Sequence, residues 1–75
     1  MGARGAAISI TVNGETREVP EDTTVRDLLD RLEVKGPHVA VARNAELVPR
    51  SEYEATRLAP GDRIEVVHAI GGGAA

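Results

Sequence analysis

Asn13 and Gly14 stand between two short segments and constrain the fold more tightly than any other pair in the chain. Both central positions of a two-residue type I′ turn need positive φ, which Asn and Gly accept, and the twist of that turn matches its flanking strands. Ahead of the pair, Ile8, Ile10 and Val12 alternate with Ser9 and Thr11, the period of a strand with one buried face. Counting outward from the turn pairs Val12 with Glu15, Ile10 with Arg17 and Ile8 with Val19, so Val19 shares the buried face with Ile8. Pro20 ends the hairpin, because it has no N–H to donate to a ladder.

The core that this hairpin joins is small. The chain has 75 residues, enough for one domain near the lower size limit, and no Phe or Trp. Val, Ile, Leu and Ala with the single Tyr53 must fill it, a composition that favours a sheet. No Cys is present, which excludes disulfides, thiolate catalysis and cysteine metal sites. His38 and His68 lack the close spacing of a metal pair and read as surface residues, so no metal is expected. A net charge of −3, with basic residues scattered among acids, argues against nucleic-acid binding. No apolar run approaches the roughly 18 residues of a membrane span. Residues 1–7 are rich in Gly and Ala and are expected to be a disordered extension. They lack the apolar stretch of a signal peptide, and Ala6 stands where a myristoylation motif wants Ser or Thr. A soluble cytoplasmic protein is expected.

After the hairpin, Thr24 offers an N-cap with Asp27 three residues on, and Val25, Leu28, Leu29 and Leu32 follow at helical spacing. The helix ends near Glu33 and is too short to stand alone, so it must lie on the hairpin. Val39 to Ala42 predict a strand with its valines inward and its alanines outward, and Leu47 and Val48 a short one stopped by Pro49. Ser51 to Ala55 read as a turn of α-helix or 3₁₀ helix carrying Tyr53, with Leu58 in the core. Pro60, Gly61 and Asp62 make a turn before a last strand with Ile64 and Val66 on one face and Glu65 and Val67 on the other. A right-handed crossover would make the strand after the helix parallel to a hairpin strand in the same sheet. The expected fold is α+β, a mixed sheet gripping one main helix over residues 8–70, the β-grasp or ubiquitin-like layout.

Gly71, Gly72 and Gly73 follow the last strand within a Gly-rich tail of residues 71–75. Without Cβ atoms such a run can thread a channel that a side chain would block; a frayed end is the plain alternative. The tail extends about 10 Å over three residues at ~3.3 Å each. Taken with Leu47, Val48, Pro49, Arg50 and Tyr53, with Pro60 to Ile64, and with Val66 to Gly73, the chain resembles the thiamine-biosynthesis sulfur carrier (ThiS) family over about residues 8–73.

That resemblance implies a protein cosubstrate rather than an enzyme. The carboxylate of the terminal glycine, matched by Gly73, would be adenylated by a ThiF-like activating enzyme that uses ATP, with no cofactor bound to the carrier itself. Sulfur from a desulfurase would then replace AMP to give a thiocarboxylate, which a ThiG-like thiazole synthase would use. The absence of Cys fits, since sulfur would have to ride on the terminus and no thiol competes for the activated acyl group. Ala40, Ala42, Val67 and Ile70 form the candidate docking patch beside the tail, or else simply a second packed face. Arg43, Arg50 and Arg63 are candidates for pairing with partner acids or plain solvated charges. Ala74 and Ala75 hold the carbonyl of Gly73 in a peptide bond, so a peptidase would have to remove them unless they are a cloning remnant. Other readings are a carrier for molybdopterin, cysteine or a secondary metabolite, a ubiquitin-like protein modifier, and a passive interaction module.

Overall fold

The computed structural model describes residues 6–68. Strands β1 (Ala7–Val12) and β2 (Glu15–Pro20) pair antiparallel across Asn13 (φ 51°) and Gly14 (φ 87°). Val12 faces Glu15, Ile10 faces Arg17 and Ile8 faces Val19, the register that the turn predicts. Ala7 already pairs with Pro20, so the sheet begins inside the stretch expected to be disordered; residues 1–5 of that stretch lie outside the described residues. Helix α1 (Val25–Leu32) follows, then β3 (Val39–Arg43), β4 (Glu46–Val48), a 3₁₀ turn over Arg50–Glu52 and β5 (Arg63–His68).

The five strands form one mixed sheet in the order β2-β1-β5-β3-β4. The last described strand, β5, therefore lies at the centre, parallel to β1 and antiparallel to β3. By those pairings β3 runs in the direction of β2, as the crossover through α1 leads one to expect, but β5 separates it from the hairpin. This is the β-grasp arrangement. The inner face carries Ile8, Ile10, Val12, Val19, Val41 and Ile64 against Val25, Leu28 and Leu29 of the helix, with Tyr53 and Leu58 closing one end. Every one of these side chains is aliphatic except Tyr53, so shape fitting among branched residues replaces the large area that aromatic rings would bury.

The helix is short but well ended. Thr24 Oγ1 accepts the Asp27 N–H and Asp27 Oδ2 accepts the Thr24 N–H, each at 3.1 Å, a reciprocal capping box. The N–H groups of Val25 and Arg26 donate to the carbonyls of Thr56 and Tyr53, so the first turn is bound to the segment after β4 and few donors are left orphaned.

Two turns do more than reverse the chain. Asp62 is almost wholly buried in the tight turn before β5. One of its carboxylate oxygens accepts Arg43 Nε at 2.7 Å and the Ala59 N–H at 2.8 Å, and the other accepts Asn44 Nδ2 at 3.0 Å. Burial pushes this carboxyl upward, but the hydrogen bonds from Arg43, Ala59 and Asn44 and the Arg43 charge together outweigh it and hold it below the ordinary carboxylate value. Asn44 (φ 53°) and Ala45 (φ 71°) link β3 to β4, and Asn44 Oδ1 also accepts the Arg63 N–H at 2.9 Å. Asn13 acts similarly on the other edge of β5. Where β1 turns away, its amide side chain receives the Val66 N–H at 2.9 Å and donates to the Val66 carbonyl at 3.3 Å, continuing the ladder beyond the strand.

A depressed folded pKa means that the contribution of Asp62 is fully present above its unfolded value near 4 and is lost as pH falls through the lower folded value. Asp62→Asn is therefore expected to cost about 2 kcal/mol near pH 7, from charged hydrogen bonds that are only partly shielded at Arg43. Urea unfolding across pH should show the gap to the parent protein narrowing below about pH 4; a constant gap would mean that lost packing, not charge, is responsible. Asn13→Gly keeps the turn conformation but removes the amide, and is expected to cost about 1 kcal/mol. Hydrogen exchange should speed at the Val66 amide and leave that of Ile64 protected, and unchanged exchange at Val66 would show that the amide contributes nothing.

Candidate functional site

The candidate reacting end, Gly71, Gly72 and Gly73, lies outside the described residues, as does Ile70. What the structure describes is the platform that leads to it. β5 is held on both sides, by β1 and Asn13 along one edge and by β3 and Asn44 along the other. Its last residue, His68, stands opposite Val39 at the start of β3. Whatever follows His68 thus leaves from the middle of the sheet, the part of a fold that opens least readily.

The other proposed contact residues are on described strands. Ala40 pairs with Val67, and Ala42 pairs with Leu47, all four on the outer face away from the helix. Val67 is 62% exposed and Leu47 75% exposed, the two large apolar side chains most open to water among the described residues. Ala40 is exposed and Ala42 half-buried. Three of the four expected patch residues therefore share one surface, and this surface packs against no other described element.

Leu47 is a further member, outside the patch expected from the sequence. Its neighbour across the ladder is set by the Asn44–Ala45 turn, and Ala45 in the left-handed region gives no signal of the Asn-Gly kind. The alternation of Leu47 with Glu46 and Val48 was the available clue, because Val48 packs against the core and its neighbour must then point outward.

Of the three arginines considered for partner acids, Arg43 is committed within the chain. It sits on the inner face beside Ile64 and binds Asp62, so it is part of the scaffold. Arg50 Nη2 donates to the Pro37 carbonyl at 2.7 Å and keeps its other donors open. Arg63, whose N–H is taken by Asn44, is exposed on the outer-face parity of β5.

Among the described residues no group of three or more His, Cys, Asp or Glu is placed to hold a metal ion. No described helix is long and apolar enough to cross a membrane. The arrangement offers a five-stranded sheet whose outer face brings Ala40, Ala42, Leu47 and Val67 together beside the exposed Glu65.

The sequence model described as the ThiS family matches residues 10–73, from the first fully buried strand residue to the third glycine of the run. The chain is similar to the sulfur carrier protein ThiS of Bacillus subtilis, with 35% identity over 65 residues, 85% of this chain and 98% of that one. It is also similar to the thiazole synthase of Paramagnetospirillum magneticum, at 42% identity over 66 residues; this covers 88% of the chain and only 20% of the synthase, so the chain spans a fifth of that relative's length. Among solved structures, the crystal structure of the thiamine biosynthesis protein (ThiS) from Geobacter metallireducens superposes with a TM-score of 0.74 at 35% identity, over 88% of this chain and 100% of that one. With the glycine run inside the matched stretch and the same fold in a solved relative, the chain belongs to the ThiS family.

Proposed function

We propose that the chain is a sulfur carrier, a protein cosubstrate whose Gly73 carboxylate is adenylated and converted to a thiocarboxylate. The observation that carries this reading is the glycine run, which begins three positions after the end of the central strand in the sequence and is included in the family match through Gly73. Attack of the carboxylate on the α-phosphorus of ATP, on a ThiF-like activating enzyme, releases pyrophosphate and leaves an acyl-adenylate. The outer sulfur of a persulfide carried by a desulfurase or relay protein then displaces AMP to give an acyl disulfide, and a second thiol on the donor reduces it, releasing the thiocarboxylate and leaving a disulfide on the donor. Without side chains, the run passes through a narrow entrance, and a reach of about 10 Å puts the carbonyl beyond the globule. The chain has no thiol of its own to intercept the adenylate. Use of ATP fits a cytoplasmic setting.

The acceptor in this reading is the thiazole of thiamine, formed on a ThiG-like synthase. The likeness of this chain to one fifth of a protein named thiazole synthase supports it over molybdopterin, cysteine or a secondary metabolite. Conjugation to lysines of other proteins is the competing use of the same activated glycine. Residues after Gly73, beginning with Ala74 and Ala75, must be removed by a peptidase before Gly73 has a carboxylate. The activating enzyme docks on the outer face through Ala40, Ala42, Leu47 and Val67, joined by Ile70.

Intact mass of the protein from its native cells tests the chemistry. A species ending at Gly73 with one oxygen replaced by sulfur is expected; only species that keep Ala74, with no sulfur adduct when thiamine is withheld, would overturn the reading. High-mass conjugates that depend on Gly73 would favour the modifier instead. For the docking face, Leu47→Asp with Val67→Asp is expected to lower ATP–pyrophosphate exchange by the activating enzyme by about tenfold or more. Both side chains are exposed, so stability should change by less than about 1 kcal/mol. Unchanged exchange would remove the outer face from the interaction.

A further inference from the structure

An open groove of about 370 Å³ lies between α1, the 34–36 segment and the 3₁₀ turn, on the helix side of the sheet. Its floor is apolar, made by Leu29, Val34, Val39 and Tyr53. Arg26, Lys35 and Arg50 stand around it with Asp30 as the single acid. Three cations against one carboxylate run counter to a chain whose net charge is −3, so this is a positive island on an acidic molecule.

The cations are available. Arg26 meets Asp30 only at 3.5 Å, with both side chains more than half exposed, and water screens such a pair heavily. Arg50 is steadied by the Pro37 carbonyl, which takes one of its donors and leaves the others. Lys35 makes no side-chain hydrogen bond or ion pair among the described residues. Gly36, at φ 110°, makes the turn that sets Lys35 beside Val34 and Val39. The second groove of similar size, beside Val66 and His68, mixes Glu15 with Arg17 and has no such sign.

We infer that this groove docks a segment of a partner protein in which an aliphatic side chain is flanked by carboxylates. The aliphatic group covers Val34 and Val39, both only half-buried, while the carboxylates meet Arg26, Lys35 and Arg50. A free inorganic anion would satisfy the cations and leave the apolar floor wet. The groove is too open to enclose a small molecule as ligand pockets do. It faces away from Ala40, Ala42, Leu47 and Val67, so a protein gripping the outer sheet leaves it uncovered, and the inference does not depend on the carrier reading.

The test is titration of the ¹⁵N-labelled chain with the peptide acetyl-ELDLE-amide, its neutral counterpart acetyl-QLNLQ-amide, and inorganic phosphate. Saturable shifts at the amides of Leu29, Val34, Lys35, Val39 and Tyr53 are expected with the acidic peptide. The neutral peptide should bind at least about fivefold more weakly, and about 0.5 M sodium chloride should weaken the acidic one similarly. Lys35→Glu should reduce binding by about fivefold with an unchanged melting temperature, and Arg26→Gln gives a second variant at an exposed helix position. Shifts that are absent, scattered, or equal for the two peptides would overturn the proposal, as would phosphate producing the same shifts at the same affinity.

Discussion

The insertion of β5 between β1 and β3 is the constraint on which the rest of the molecule depends. Until it is in place the chain consists of two hairpins and a short helix with no common sheet. Once inserted, its Ile64 becomes one of the most deeply buried side chains, and its backbone pairs on both edges. Such pairing joins residues far apart in sequence, and its loop-closure cost must be met by contacts made late. Asp62 meets part of it at the strand's entry, by gathering Arg43, Asn44 and Ala59 around one buried carboxylate. Asn13 and Asn44 then extend the ladder where β1 and β3 themselves turn away.

A strand paired on both edges also suits the carrier chemistry proposed for the glycine run that follows it in the sequence. An edge strand frays and can pair with strangers, whereas a strand hydrogen-bonded on both sides delivers the following residues from a fixed point. The two polar amides act at that point, since Asn13 binds Val66, two residues before the last described position. Stability of the sheet and placement of the last described residues of β5 therefore rest on the same few bonds.

The surfaces divide the molecule by character. The outer sheet face is small and apolar around Leu47 and Val67, while the groove behind the helix is apolar at its floor and positive at its rim. Their opposite placement follows from strand parity: Ala40, Ala42 and Val67 point outward because Val39, Val41 and Val66 are needed inside. Arg43 shows the limit of reading charge from sequence. It has the inner-face parity, and its guanidinium serves Asp62 instead of a partner.

Local chemistry made much of this legible in advance. Asn13 and Gly14 dictate a hairpin of one register, Thr24 and Asp27 start the helix, and alternation assigns the faces of β3 and β5, because each depends on residues within a few positions of one another. The glycine run and the segments matching the family are likewise matters of sequence alone. Tertiary structure decided the rest. The order that puts β5 at the centre, the carboxylate of Asp62 meeting Arg43 and Asn44 across 19 and 18 positions, and the amide of Asn13 reaching Val66 across 53 are choices among distant partners. The Asn44–Ala45 turn belongs with them: Ala45 is a poor residue for positive φ, and the turn is held by the bonds of Asn44 to Asp62 and Arg63, which exist only after the sheet has closed.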